Sequence, residues 1–92
     1  MELSGKRILV TGAARRIGKE ITTLLAARGA RVLLHYHRST DEAERLARQL
    51  RKKFKTRVDL IAADLSRADQ ALALAETAWK KLGPIDALVN NA

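Results

Sequence analysis

Apolar residues in this chain alternate between short continuous runs and longer stretches in which they recur every three or four positions. The continuous runs, rich in Val, Ile and Leu, predict buried β-strands over Arg7–Thr11, Arg31–Tyr36, Val58–Ala63 and Ile85–Val89. The periodic stretches between them predict three amphipathic helices. The chain is therefore predicted to fold as β-α-β-α-β-α-β.

Each predicted helix has an apolar stripe and a recognisable end. The first begins near Arg15 and stops before Gly29, and the third stops at Gly83-Pro84. The second and third follow capping-box patterns at 39–42 and 66–69, in which a serine hydroxyl is expected to bind the helix amides. The predicted inner faces are, in chain order, Ile17, Ile21, Leu24 and Leu25; Ala43, Leu46, Ala47, Leu50 and Phe54; and Ala71, Leu72, Ala75, Ala78, Trp79 and Leu82.

Short connections between alternating strands and helices require parallel strands and right-handed crossovers. The fold class predicted is α/β, a Rossmann-type doubly wound parallel sheet with strand order 3-2-1-4. The first two helices should cover one face and the third the other. Ligands of such sheets bind beyond the carboxyl ends of the strands where the order reverses, here between strands one and four.

Composition narrows the class of protein. A chain of 92 residues, 47% hydrophobic and 30% charged, is typical of a soluble globular protein, so residues 1–92 are taken as one compact unit or a part of one. It contains no cysteine and no apolar run near the roughly 20 residues that span a bilayer, so we expect no metal, no membrane contact and a cytoplasmic location. The net charge of +8 raises nucleic acid as a partner, but the basic run from Arg45 to Arg57 lacks stacking aromatics and is typical of a solvated helix face.

The first strand-to-helix turn carries the first candidate chemistry. Thr11–Gly18 places unpaired amides and a helix start where a phosphate can bind, with Gly12 allowing the tight turn and Gly18 allowing close helix packing. Arg16 is positioned to hold a pyrophosphate oxygen. The alternative is a βα turn that needs glycine for its geometry alone. A phosphate-loop NTPase is excluded because Glu20 stands where Ser or Thr is needed.

The ends of strands two and three carry the second and third signals. An NAD site places an acid after strand two, whereas this chain has His37, Arg38 and Ser39, which can bind the extra phosphate of NADP. Asp64, after strand three, can accept a hydrogen bond from the adenine amine. The alternatives are a solvated basic loop in the first case and a turn-forming aspartate in the second.

With Thr11–Gly18, Asp64-Leu65 and Asn90-Asn91-Ala92 in order, the chain resembles the short-chain dehydrogenase/reductase family. Arg16, in place of the family's middle glycine, and the His-Arg-Ser segment resemble the pteridine-reductase-like branch. The resemblance implies that Arg16 contacts the pyrophosphate, that His37, Arg38 and Ser39 bind the 2′-phosphate, and that other residues approach the dinucleotide largely through backbone: Ile17, Ala63, Leu65, Asn91 and Ala92.

The same resemblance covers about the first third of a typical member. The family's Tyr-x-x-x-Lys pair is missing, because Tyr36 is followed four residues later by Thr40, and no residue here is predicted to be catalytic. We expect the cofactor-binding front of an NADPH-dependent reductase, truncated before its catalytic segment and acting on a carbonyl or pterin-type small molecule. Self-association is also expected, because the last strand would otherwise leave Leu88 and Val89 on an open edge. The rival interpretation is a non-catalytic nucleotide-binding or self-associating module.

Overall fold

The computed structural model describes residues 2–91 and contains the seven elements that the pattern predicts. In chain order they are β1 (Arg7–Val10), α1 (Arg16–Ala27), β2 (Arg31–Tyr36), α2 (Thr40–Phe54), β3 (Val58–Ala62), α3 (Ala68–Leu82) and β4 (Ala87–Val89). All neighbouring strands are parallel and their order is β3-β2-β1-β4, which confirms the α/β fold and the topology. Only β4 differs much from its prediction, since it begins at Ala87 rather than Ile85.

The two faces of the sheet bury separate apolar clusters, because successive strand residues point to opposite sides. Ile8, Val10, Val32 and Leu34 pack with α1 and α2 on one face. On the other face, the strand residues Leu9, Leu33 and Ile61 pack with Leu74, Ala78 and Leu82 of α3. The predicted division of helices between the faces is confirmed, and burial on both sides explains why the strand sequences are continuously apolar.

Two helices bury only part of the apolar stripe predicted for them, and in α3 the predicted residues Ala78 and Leu82 are buried. In α3 the buried residues are Leu74, Ala78 and Leu82, while Leu72 and Trp79 are 62% and 63% exposed. Both rows have helical spacing, so periodicity does not decide which row of a wide apolar face meets the sheet.

In α1 the buried row is Gly18, Thr22 and Ala26, with Ile17 and Leu24 exposed. Three small residues let this helix approach the sheet closely. Of the four apolar residues that recur at helical spacing, Ile21 and Leu25 pack against the core, whereas Ile17 and Leu24 do not.

Neither predicted capping box forms. Ser39 is the N-cap of α2, but only its backbone carbonyl binds, accepting from the Ala43 amide. The Glu42 carboxylate lies 3.3 Å from Arg15 Nε instead. In α3 the N-cap is Arg67, and the Ser66 hydroxyl donates to Asp64. A charged partner outcompetes the local capping bond in each case.

Only one of the two residues expected to be exposed on the last strand is exposed. Leu88 is 60% exposed on the α3 side of the sheet, whereas Val89 packs against the opposite cluster, so the prediction that both lie open on one side was wrong. Adjacent strand residues cannot share a face. Within residues 2–91, no helix has the length and apolar character needed to cross a membrane.

Candidate functional site

The turn between β1 and α1 lies where the strand order reverses. Gly12 has φ +60°, in the left-handed region that glycine adopts without steric cost. The Thr11 amide donates to the Val89 carbonyl of β4, and the Ala13 amide donates to the His35 carbonyl of β2. The turn is therefore fastened to both strands that flank β1 at their carboxyl ends.

Gly18 is needed for a close approach at this turn. A Cβ built on it would lie 2.0 Å from the Gly12 carbonyl oxygen and 2.6 Å from the Asn91 side-chain nitrogen. The sequence interpretation assigned Gly18 to packing against the sheet. The structure places the crowding against the turn itself and against Asn91.

Arg16 opens α1 with φ +52°, a conformation that costs a non-glycine residue roughly 1 kcal/mol. The family that the sequence resembles has a glycine at this position, and glycine adopts this backbone angle without steric cost. The first turn of α1 has no acidic residue and its N-cap makes no side-chain hydrogen bond. The positive end of the helix dipole is thus not neutralised locally, which favours an anion.

Two open clefts meet at this turn, both bordered by Gly12 and Arg15. The β2-side cleft, about 270 Å³, is lined by Gly12, Ala14, Arg15, Tyr36, His37, Arg38 and Ser39. The β4-side cleft, about 310 Å³, is lined by Gly12, Arg15, Arg16, Ile17 and Asn91. The two clefts are therefore lined by seven of the residues predicted for the site: Gly12, Arg16, Ile17, His37, Arg38, Ser39 and Asn91. Asp64 lines neither cleft.

Asp64 lies beside the β2-side cleft, where it is close to His37. The His37 Nε2 atom lies 3.8 Å from an Asp64 carboxylate oxygen. Hydrogen bonds from the Ser66 hydroxyl, at 2.6 Å, and from the Ser66 amide hold the pKa of the Asp64 carboxyl below its ordinary value. Asp64 is consequently an ionised acceptor at neutral pH, as an adenine-amine contact requires.

The end of the chain closes the β4 side of the turn. The Asn91 amide donates to the Thr11 hydroxyl at 2.9 Å, and its side-chain nitrogen donates to the Gly12 carbonyl at 3.1 Å. Of the other predicted residues, Ala63 is buried at the tip of β3 and Leu65 packs beneath it against the α3-side cluster. Ala92 lies outside the described residues.

Two residues of the site were missed by sequence reasoning. Arg15 borders both clefts and remains 58% exposed despite its ion pair with Glu42. His35 is only 2% exposed, and its ring bonds to Gly12 and Ala63. A histidine inside an otherwise apolar strand was the signal available for it, since a buried ring must satisfy two polar atoms.

Within residues 2–91, no three His, Asp or Glu side chains group as metal ligands. The described site thus offers cations, glycine backbone and one ionised carboxylate. This arrangement can bind a phosphorylated ligand and orient it.

Comparisons with known proteins give the chain its relatives. A family model described as short chain dehydrogenase matches residues 6–92. The uncharacterized oxidoreductase YmfI of Bacillus subtilis is 41% identical over 87 residues, which are 95% of this chain and 35% of that protein.

Two solved structures share the fold across the whole chain. FolM alternative dihydrofolate reductase 1 from Brucella canis, complexed with NADP, has a TM-score of 0.89 and 38% identity over 100% of this chain and 36% of its own. L-Sorbose reductase from Gluconobacter frateurii, complexed with NADPH and L-sorbose, has a TM-score of 0.90 and 35% identity over 100% of this chain and 35% of its own. The chain spans about a third of the length of these relatives.

Proposed function

Because the chain belongs to the short-chain dehydrogenase family, we propose that its two clefts bind NADP(H) and that it forms the cofactor-binding front of an NADPH-dependent reductase. The observation that carries the proposal is the β2-side cleft. Arg15 and Arg38 border it beside Gly12, and its described lining contains no acidic residue. Such a cleft favours a ribose that carries a phosphate over one that carries a free hydroxyl.

The residues present fit a dinucleotide. The β4-side cleft, with the start of α1 and Arg16, would hold the pyrophosphate. Arg38, Ser39 and His37 would hold the 2′-phosphate. Asp64 would accept from the adenine amine, with Ile17, Ala63, Leu65, Asn91 and Ala92 contributing largely backbone.

For the whole protein we propose hydride transfer to a carbonyl or pterin-type small molecule. NADPH supplies the hydride when bound, and this chain's residues bind and orient it. The pterin-type substrate is supported by Arg16 and the His37–Ser39 segment, and by similarity to a protein named alternative dihydrofolate reductase 1. NADPH turnover by the whole protein is measured with 7,8-dihydrobiopterin and with a simple ketone as substrates. Turnover indicates a reductase, whereas NADPH binding without turnover indicates a non-catalytic module.

The binding proposal is tested by titrating the chain with NADPH and NADH. We expect NADPH to bind more tightly, and Arg38→Asp to weaken NADPH about 10- to 100-fold through the loss of a charge-assisted hydrogen bond. Arg48→Asp is the matched control, because Arg48 is exposed on α2 and lines neither cleft. Equal affinity of the unaltered chain for the two cofactors would contradict the proposal.

We also propose that the protein is cytoplasmic and self-associates, with small-molecule rather than nucleic-acid partners. The 60% exposure of Leu88 on the α3 side of the sheet supports self-association, since an exposed large apolar side chain favours burial against another surface. Sedimentation velocity at several concentrations, with Leu88→Ser as the variant, measures it. A monomer at every concentration would exclude it.

A further inference from the structure

The His35 ring is placed between two parts of the proposed cofactor site. It lies in β2 and is 2% exposed, with Nδ1 3.0 Å from the Gly12 amide nitrogen and Nε2 2.9 Å from the Ala63 carbonyl oxygen. Gly12 belongs to the turn after β1, and Ala63 follows β3. One side chain therefore spans the carboxyl ends of three adjacent strands.

The two partners determine where the ring proton is. A backbone amide only donates, so Nδ1 must be the bare nitrogen that accepts from Gly12. A carbonyl only accepts, so Nε2 must carry the proton and donate to Ala63. His35 is consequently the neutral Nε2–H tautomer, with both ring nitrogens satisfied.

The backbone of His35 adds a second hold on the turn. Its carbonyl accepts from the Ala13 amide at 2.9 Å, so two successive amides of the turn bind this one residue. Neither amide then points toward a ligand. A phosphate must be held by the amides that follow, at the start of α1, where helix geometry leaves donors without partners in their own helix.

We propose that His35 is a positioning residue for the NADP(H) site, which sets the turn at Gly12 against the tip of β3 and so fixes the shape of both clefts. This inference rests on the proposed function. His35 itself lines neither cleft, and its ring binds Gly12, which lines both. Its contribution to affinity is therefore made through Gly12 and Ala63, and not by contact with cofactor.

Two substitutions separate the two ring bonds. In His35→Asn the side-chain oxygen stands where Nδ1 was and keeps the acceptor for Gly12, whereas in His35→Gln the terminal amide nitrogen stands where Nε2 was and keeps the donor for Ala63. We expect NADPH affinity to fall about five- to tenfold in each variant, the value of the one hydrogen bond that each loses. Leu33→Val is the control for stability loss alone, because Leu33 is fully buried in the same strand and on the same face, away from the turn.

The folded fraction of each variant is measured by urea unfolding before titration. If the Asn and Gln variants bind NADPH as tightly as the unaltered chain, or lose no more affinity than Leu33→Val, the positioning role is wrong and His35 is structural only. A second test uses long-range ¹H–¹⁵N NMR spectra of the unaltered chain, so it does not depend on whether a variant folds. We expect a proton on Nε2 and a bare Nδ1 coupled to the Gly12 amide, and a proton on Nδ1 would overturn the proposal.

These measurements distinguish the inference from the function on which it rests. If the unaltered chain does not bind NADPH, the proposed function fails and the positioning role fails with it, whatever the tautomer. If the unaltered chain binds NADPH and both variants bind it as tightly, only the role of His35 fails.

Discussion

Replacing Gly18 by alanine tests whether the tight contact at the glycine turn builds the site. The added Cβ would stand 2.0 Å from the Gly12 carbonyl oxygen and 2.6 Å from the Asn91 side-chain nitrogen. Both distances are far inside van der Waals contact, and the nearer atom is backbone. The turn or the helix must therefore move by roughly 1 Å or more.

The expected change in the free energy of unfolding is the sum of three contributions. Overpacking of this kind costs about 1–3 kcal/mol, and losing the Asn91 hydrogen bond to Gly12 costs about 1 kcal/mol. Alanine's better helix propensity returns about 1 kcal/mol. We expect Gly18→Ala to lower the free energy of unfolding by about 1–3 kcal/mol and to weaken NADPH binding, since the displaced turn borders both clefts.

The assay is urea unfolding together with NADPH titration, and Ala26→Gly is the control. Ala26 is fully buried two turns further along α1, so its replacement lowers stability by a comparable amount without touching the turn. Only Gly18→Ala should lose NADPH affinity. Should Gly18→Ala unfold at the same urea concentration as the unaltered chain and bind NADPH equally well, the reasoning about this contact would be refuted.

Three further substitutions have defined outcomes. Thr22→Val should raise the free energy of unfolding by about 1 kcal/mol in urea, because the buried Thr22 hydroxyl has no hydrogen-bond partner among the described residues. Arg16→Gly should relieve the backbone at φ +52° and stabilise by roughly 1 kcal/mol, yet weaken NADPH binding in titration because a cation is lost. Ser66→Ala should raise the pKa of Asp64 toward its ordinary value, as followed by NMR titration. Because the pKa of Asp64 is lowered in the folded chain, its carboxylate stabilises the fold above the ordinary carboxyl pKa, and this stability is lost as the pH falls through the folded-state pKa. Ser66→Ala should therefore lower the free energy of unfolding at neutral pH more than at acidic pH.

The topology could be predicted because strand and helix periods are local properties of the sequence. Continuous apolar runs such as Val32 to Leu34 are required wherever helices cover both faces of a sheet. The place of the turn follows from topology alone. The glycines of this turn and the cations around it could therefore be assigned to one site from the sequence.

What could not be predicted depends on contacts between distant residues. Glu42 pairs with Arg15 instead of capping α2, and Ser66 donates a hydrogen bond to Asp64 instead of capping α3. Which row of α3 meets the sheet is decided by the shape of the opposing surface. The bonds of His35 required knowing that Gly12 and Ala63 lie on either side of one ring, which only the parallel register establishes.

The clamp between Asn91 and the glycine turn joins positions 79 and 80 residues apart. A loop of that length closes late, since its ends must find each other after most of the chain has been ordered. The β4-side cleft is therefore complete only when β1 and β4 have paired. Occupancy of the turn should accordingly slow amide exchange at both extremities of the polypeptide together.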